Sequence, residues 1–181
     1  MEFVEFSKIA RLSREIVITE KIDGTNAQIC ITPNGEFLVG SRTRWITPDD
    51  ENFVFARWAY EHKDELMQLG EGSHFGEWWG QGIQRKYDLE EKRFSLFNVA
   101  RWGDDGKEVR PACCHVVPVL MRSNFDSDYI DIAMEMLRVE GSRASPGFMK
   151  PEGIIIWHED ARQLFKKTLE RDEVPKALLK G

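Results

Sequence analysis

The residues best suited to chemistry in this sequence surround one lysine. Thr19-Glu20-Lys21-Ile22-Asp23-Gly24-Thr25-Asn26 is a polar turn set between two apolar runs, Ile16-Val17-Ile18 and Ala27-Gln28-Ile29-Cys30-Ile31. The pattern places a primary amine at the mouth of a sheet. Gly24 permits a tight turn or a close approach of backbone to ligand, and Asp23, Thr25 and Asn26 offer side-chain partners for backbone amides or a sugar. A neutral lysine amine is a nucleophile that can carry a covalent intermediate. A free lysine, with a pKa of about 10.4, is mostly protonated at neutral pH. A cation about 4 Å away, at an effective dielectric near 20, contributes roughly 4 kcal/mol, or about 3 pKa units, toward releasing that proton.

Other chemically capable residues follow in a fixed order. Arg42 ends the run Val39-Gly40-Ser41-Arg42, where its planar, permanently charged fork suits a phosphate. Glu77 lies in Phe75-Gly76-Glu77-Trp78-Trp79-Gly80-Gln81-Gly82 and Phe97 in Arg93-Phe94-Ser95-Leu96-Phe97-Asn98. Glu152 heads Glu152-Gly153-Ile154-Ile155-Ile156, and Leu164-Phe165-Lys166-Lys167 closes the series. A carboxylate in an apolar strand is expensive unless paired, which marks Glu77 as a functional candidate on physical grounds.

Lys-x-Asp-Gly at Lys21, followed by these segments in this order over roughly residues 6 to 176, resembles the covalent nucleotidyltransferases: DNA ligases, RNA ligases and capping enzymes. Thr-Glu-Lys-x-Asp-Gly-Thr-Asn, and Gly-Glu-x-x-Gly-Gln-Gly with Ile83-Gln84 following, are most similar to the nick-sealing, phage-type RNA ligases. The resemblance implies an ATP-dependent RNA ligase that forms a lysyl-AMP intermediate on Lys21, transfers AMP to a 5′-phosphate end and seals that end to a 3′-hydroxyl. It implies catalytic roles for Lys21, Asp23, Arg42 and Lys166. Nucleotide contacts are implied for Glu20, Gly24, Asn26, Arg42, Glu77 (on the ribose), Phe97 (stacked on the purine), Lys166 and Lys167. Glu152 is implied as a site for Mg²⁺ or Mn²⁺; Lys166, or a metal on Glu152, is then the cation that helps deprotonate Lys21. The implied partners are RNA ends, in nicked duplex or broken structured RNA, and an accessory protein in place of a C-terminal domain.

Two positions depart from the family pattern. Asn98 stands where aspartate is usual, and Thr168 stands where a second closing lysine is expected. On an alternating strand Lys166 and Thr168 face one way and Lys167 the other, so one cation is missing from the pocket. The alternatives are a DNA ligase, a GTP-using capping-type enzyme, or a nucleotide or RNA-end binding module without catalysis.

The elements that must position these groups are read from periodicity. Phe3, Phe6, Ile9 and Leu12, apolar at steps of three, suggest a short packed lead-in. Glu15 to Leu38 reads as strand, lysine turn, strand, a Pro33-Asn34-Gly35 turn and a third strand, an antiparallel start to one sheet. Asp49-Asp50 are placed to cap a helix from Asn52 to Leu69 whose Phe55, Ala59, Leu66 and Leu69 share a face. His74 to Trp78, Phe94 to Ala100, Cys113 to Met121, Glu152 to Trp157 and Gln163 to Leu169 read as extended. Asp126 or Ser127 caps a helix through Val139, and Ser142 to Pro151 reads as a flexible lid. The expected fold class is α+β, with antiparallel sheets flanked by helices; the resemblance sharpens this to the ATP-grasp-like nucleotidyltransferase, or adenylation, domain of ligases.

At 181 residues the sequence suits one domain with a full core, read as a single unit over 1–181 without a C-terminal OB or helical domain. With 41% hydrophobic and 31% charged residues, it is neither disordered nor fibrous in composition. No apolar run reaches the ~20 residues of a membrane helix and no signal peptide opens the sequence, so a cytoplasmic setting is expected, phage-encoded or otherwise. The three cysteines, Cys30, Cys113 and Cys114, argue against a disulfide framework or a Cys-x-x-Cys zinc site, with Cys30 read as core. The net charge of -6 opposes polynucleotide binding unless basic groups cluster locally, as Arg42 with Arg44, Arg85 with Lys86, Arg101, and Lys166 with Lys167 could.

Overall fold

The computed structural model describes residues 1–50, 54–170 and 172–173. Two sheets carry the fold. The first holds four strands in the order β10-β9-β1-β8, formed by β1 (Glu15–Lys21), β8 (Val119–Asn124), β9 (Gly153–His158) and β10 (Gln163–Thr168), all antiparallel. The second holds six in the order β4-β3-β2-β5-β6-β7: β2 (Thr25–Ile31), β3 (Phe37–Ser41), β4 (Trp45–Ile46), β5 (Gly72–Gly80), β6 (Lys92–Leu96) and β7 (Cys114–Val116). Only the β6–β7 edge of that sheet is parallel.

Each sheet buries one face under helix. Ile16, Ile18, Ile154 and Ile156 pack against Ala133, Met134 and Leu137 of α4 (Ser127–Glu140). Asp126 caps this helix by accepting from the Asp128 amide (3.0 Å), and Gly141, at φ 80°, ends it. On the second sheet, Ile29, Val39, Trp78, Phe94 and Leu96 meet Phe55, Ala56 and Ala59 of α1 (Val54–Glu61), Leu66 of α2 (Lys63–Leu66) and Leu69 of a following 3₁₀ turn. A third cluster, containing Val17 from the first sheet and Trp79 from the second, joins their inner faces with Ile22, Tyr87, Val117 and Phe148. The layers run helix, sheet, sheet, helix.

The structure corrects several expectations. β1 and β2 do not form a hairpin but belong to different sheets, so the lysine turn is the crossing between them. The physical reason is burial on both faces of β1, where Ile16, Val17 and Ile18 are all enclosed, the odd residue toward the seam and the even ones toward α4. The run from Cys113 to Met121 likewise splits into β7 and β8 in different sheets, with Pro118 at the crossing, where its carbonyl accepts the Glu20 amide (2.9 Å). Phe3, Phe6, Ile9 and Leu12 are exposed and outside any regular element, so they form no packed lead-in. Asp50 accepts from the Thr47 amide (2.7 Å) and Arg44 (3.0 Å), and the anticipated helix start at Asn52 and Phe53, with its cap, lies outside the described residues. The strand through Phe94 ends at Leu96, and Asn98 accepts from the Arg101 amide (3.1 Å) to cap α3 (Val99–Trp102). Cys30 is half-buried rather than core. Among the described residues no helix is long and apolar enough to cross a membrane.

This layering predicts a sharp contrast between two apolar positions. Ile18→Ala empties a site closed on every side and should lower the unfolding free energy by about 2–5 kcal/mol, whereas Phe6→Ser should change it by less than about 0.5 kcal/mol. Equal losses in denaturant titrations would contradict the placement of both.

Candidate active site

The lysine turn is shaped by what lies beneath it. A Cβ on Gly24 would fall 2.4 Å from the Trp78 carbonyl oxygen and 2.7 Å from the Trp79 Cβ; only glycine lets the turn rest on β5. The Gly24 amide donates to Glu77 Oε1 (2.9 Å), and Asn26 Nδ2 donates to the other carboxylate oxygen (3.3 Å). Antiparallel pairing sets Asn26 directly opposite Glu77, so both side chains point into the seam.

Across the seam stands the partner of the lysine. Lys21 Nζ lies 2.6 Å from Glu152 Oε2, with the carboxylate side chain 3% exposed and the lysine 19%. Their meeting is fixed by register, because Lys21 pairs with Gly153 at the last rung of β1 and β9. Burial pushes the Glu77 carboxyl up to about 7; the positive Lys21 lowers it, and the negative Glu152 and Asp23 raise it. The site therefore concentrates three carboxyl groups around one amine.

Lys166 and Thr168 share a face of β10 with Lys21, since Lys166 lies opposite Ile155 and Thr19, and Thr168 opposite Gly153 and Lys21. Lys167 points to the other face and pairs with Asp131 of α4 (2.7 Å). The expectation that it touches the nucleotide fails on this geometry. Thr168 cannot replace a cation either, and its hydroxyl hydrogen-bonds the Glu170 carbonyl (3.1 Å) and Asp172 (3.2 Å).

Glu20 also departs from expectation. Its carboxylate is buried on the side away from Lys21, where it accepts from Ser142 Oγ (2.6 Å) and the amides of Arg143 (2.8 Å) and Ala144 (2.9 Å). Burial raises its pKa, against these hydrogen bonds and the nearby Arg143 charge. It anchors the segment after α4 rather than facing a nucleotide. The supposed flexible lid is correspondingly tied down, since Ser145 Oγ donates to the Tyr87 carbonyl (2.8 Å) and Phe148 is buried. Asp23 is held too: its amide donates to the Tyr87 hydroxyl (2.8 Å), and its carboxylate accepts from Arg85 Nε (3.1 Å). The bonds by which Arg85, Tyr87 and Ser142 support the site join residues 58 or more apart in the chain, so sequence reading gave Arg85 only as a basic residue and the other two no role.

Two anticipated residues stand at the rim. Phe97 is 40% exposed and its amide donates to the Phe75 carbonyl, giving it the same facing as Glu77; it is open platform rather than core. Arg42 is exposed just past β3 and lines an adjoining cleft of about 680 Å³ with Thr25, Phe55, Trp78, Gly82 and Lys92. Gly24 and Asn26, which bond Glu77, also line that cleft, so it joins Arg42 to the lysine turn, while Lys21, Glu77 and Glu152 lie outside its lining. Among the described residues Arg42 and Lys166 make no ion pair, whereas Arg44, Arg101 and Lys167 are matched to acids. No cluster of three metal-ligating side chains forms among the described residues. A hard cation here would rest on the Glu152 carboxylate and complete its shell with phosphate oxygens and water.

The family model for RNA ligase matches residues 14–174, and the chain belongs to that family. No curated protein matches in sequence. Among solved structures, a mutant of the Naegleria gruberi RNA ligase with ATP and Mn superposes with a TM-score of 0.62 at 20% identity, over 88% of this chain and 51% of that one. A second mutant of the same enzyme, with AMP and Mn, gives 0.62 at 20% identity over 87% and 50%. An apo mutant gives 0.62 at 20% over 86% and 50%. The chain thus spans about half the length of these structures, and the likeness establishes the nucleotidyltransferase fold.

The raised Glu77 carboxyl has a measurable consequence. With a folded pKa of about 7 against an ordinary 4.5, its contribution to stability is full below pH 4.5 and is lost as pH rises through about 7, and Glu20 acts in the same sense. Glu77→Gln should reduce the fall in thermal midpoint between pH 5 and pH 8; an identical fall in both proteins would refute the assignment.

Proposed function

We propose that this chain carries the adenylyl-transfer centre of an ATP-dependent RNA ligase, with Lys21 as nucleophile. The observation that carries the reading is the Lys21–Glu152 pair, closed against Glu77 at the seam of two sheets, in a chain of the RNA ligase family. Lys21 Nζ forms a P–N bond to the α-phosphorus of ATP as the bond to the β-phosphate oxygen breaks and pyrophosphate leaves, the amine proton passing to solvent or a neighbouring base. AMP then passes to an RNA 5′-phosphate, restoring the lysine. A 3′-hydroxyl attacks that phosphate, AMP departs, and the strand is sealed.

The other residues divide the work. Glu77 and Asn26 offer hydrogen-bonding groups to the ribose, Phe97 offers a face to the purine, and Lys166 and Arg42 offer positive charge to phosphates. Mg²⁺ or Mn²⁺ on Glu152, when bound, supplies charge neutralisation at the phosphates. ATP with manganese, and AMP with manganese, are present in structures of the Naegleria enzyme. The proposed polynucleotide is nicked duplex RNA or broken structured RNA.

The test is sealing of a 5′-phosphorylated RNA nick, with matched DNA nicks, and with GTP in place of ATP. RNA joining that needs ATP and a divalent ion, and that Lys21→Ala lowers by more than about a thousandfold, is the expected result. Joining of DNA alone, or use of GTP alone, would reassign the enzyme within the nucleotidyltransferases. Tight ATP binding with no joining of either strand would replace catalysis by a binding role.

A further inference from the structure

One guanidinium bonds two residues, each two positions along the chain from a member of the Lys21–Glu152 pair. Arg85 Nε donates to the carboxylate of Asp23 (3.1 Å), two positions after Lys21, and Arg85 Nη1 donates to the carbonyl of Lys150 (3.0 Å), two positions before Glu152. The β1–β9 ladder ends at Lys21 and Gly153. Lys21 stands on that rung and Glu152 one residue beyond it, where its carbonyl accepts the Leu169 amide (2.9 Å) and its side chain meets Lys21 at 2.6 Å. Among the described residues no strand pairing joins the turn after Lys21 to the segment before Glu152. Arg85 spans the gap that the sheet leaves.

The loop that presents Arg85 is built to stay in place. Gln84, Lys86, Tyr87 and Asp88 all adopt left-handed backbone, at φ 43°, 61°, 53° and 53°. Non-glycine residues hold such angles only where surroundings over-determine them, and such strain collects at functional sites. Here the surroundings are firm. Tyr87 is wholly buried, with its ring 4.9 Å from Trp79 and 4.6 Å from Phe148, its hydroxyl on the Asp23 amide and its carbonyl on Ser145.

We infer that Arg85 is a positioning residue for the nucleophile, a brace that fixes the Lys21 turn against the segment bearing Glu152. It rests on the reading of Lys21 as the adenylylated group. The planar fork matters because two acceptors in different segments must be met at once, which a single ammonium does less well. Misplacing a reacting group by about 1 Å can cost on the order of a hundredfold in rate, so a brace acts on the chemical step more than on ATP affinity.

Two measurements test this. In single-turnover adduct formation, Arg85→Met should lower the rate at saturating ATP by about tenfold or more and leave the half-saturating ATP concentration within about threefold; Arg85→Lys should recover part of the rate. In amide hydrogen exchange without nucleotide, Arg85→Met should lose protection around residues 22–24 and 149–153 together while Ile16 to Ile18 keep theirs. If Arg85→Met proves unfolded, Arg85→Lys carries both comparisons with smaller losses expected. Unchanged rate and exchange would overturn the inference, and so would an effect confined to half-saturation, which would make Arg85 a nucleotide contact. If the wild type forms no adduct, the adenylylation reading fails, and the exchange comparison alone decides the brace.

Discussion

Everything in this molecule depends on bringing a lysine from one strand end against a carboxylate from another, at a seam where water is scarce. Lys21 pairs with Gly153 on the last rung of β1 and β9, and Glu152 stands one residue beyond it. A one-residue slip of β1 against β9 would turn Lys21 toward α4 and Glu20 toward the seam. The isoleucines of β1 and β9, locked under α4, prevent that slip. The apolar core is therefore what sets the reactive geometry, and the polar network around the turn refines it.

The same pair also restrains the chemistry. Lys21 Nζ is engaged by the buried Glu152 carboxylate, so in the proposed reaction this contact must loosen before the amine can attack. The amine must also lose its proton in that reaction; Glu152 would hold a divalent cation arriving with the triphosphate, which would supply positive charge beside the amine. Lys166, on the same face of β10, adds positive charge. Thr168 in the next inward position adds none, which leaves this seam with fewer fixed cations than the resemblance implies.

Much of the site was legible in the sequence because its motifs sit at strand ends, where alternation reveals which side chains share a face. Lys21, Asn26, Glu77 and Glu152 are brought to one seam, and the outward turn of Lys167 follows from the same alternation. The hidden parts are those that depend on which strands become neighbours. A polar turn between apolar runs looks alike whether it closes a hairpin or carries the chain from sheet to sheet, so the separation of β1 and β2 could not be read locally. Glu20 was misread for a related reason: its neighbour Lys21 is catalytic in type, yet one step along a strand reverses the facing. The regular apolar spacing of Phe3 to Leu12 likewise describes a face, not a partner to cover it.

The central claim is that Lys21 is the atom-bearing nucleophile, and it is tested most directly on the protein alone. Incubation with ATP and Mg²⁺ or Mn²⁺, without nucleic acid, followed by denaturation, proteolysis and mass spectrometry, should find AMP on the peptide containing Lys21 and on no other. An adduct on a different residue, or none on folded protein that binds ATP, would contradict the account.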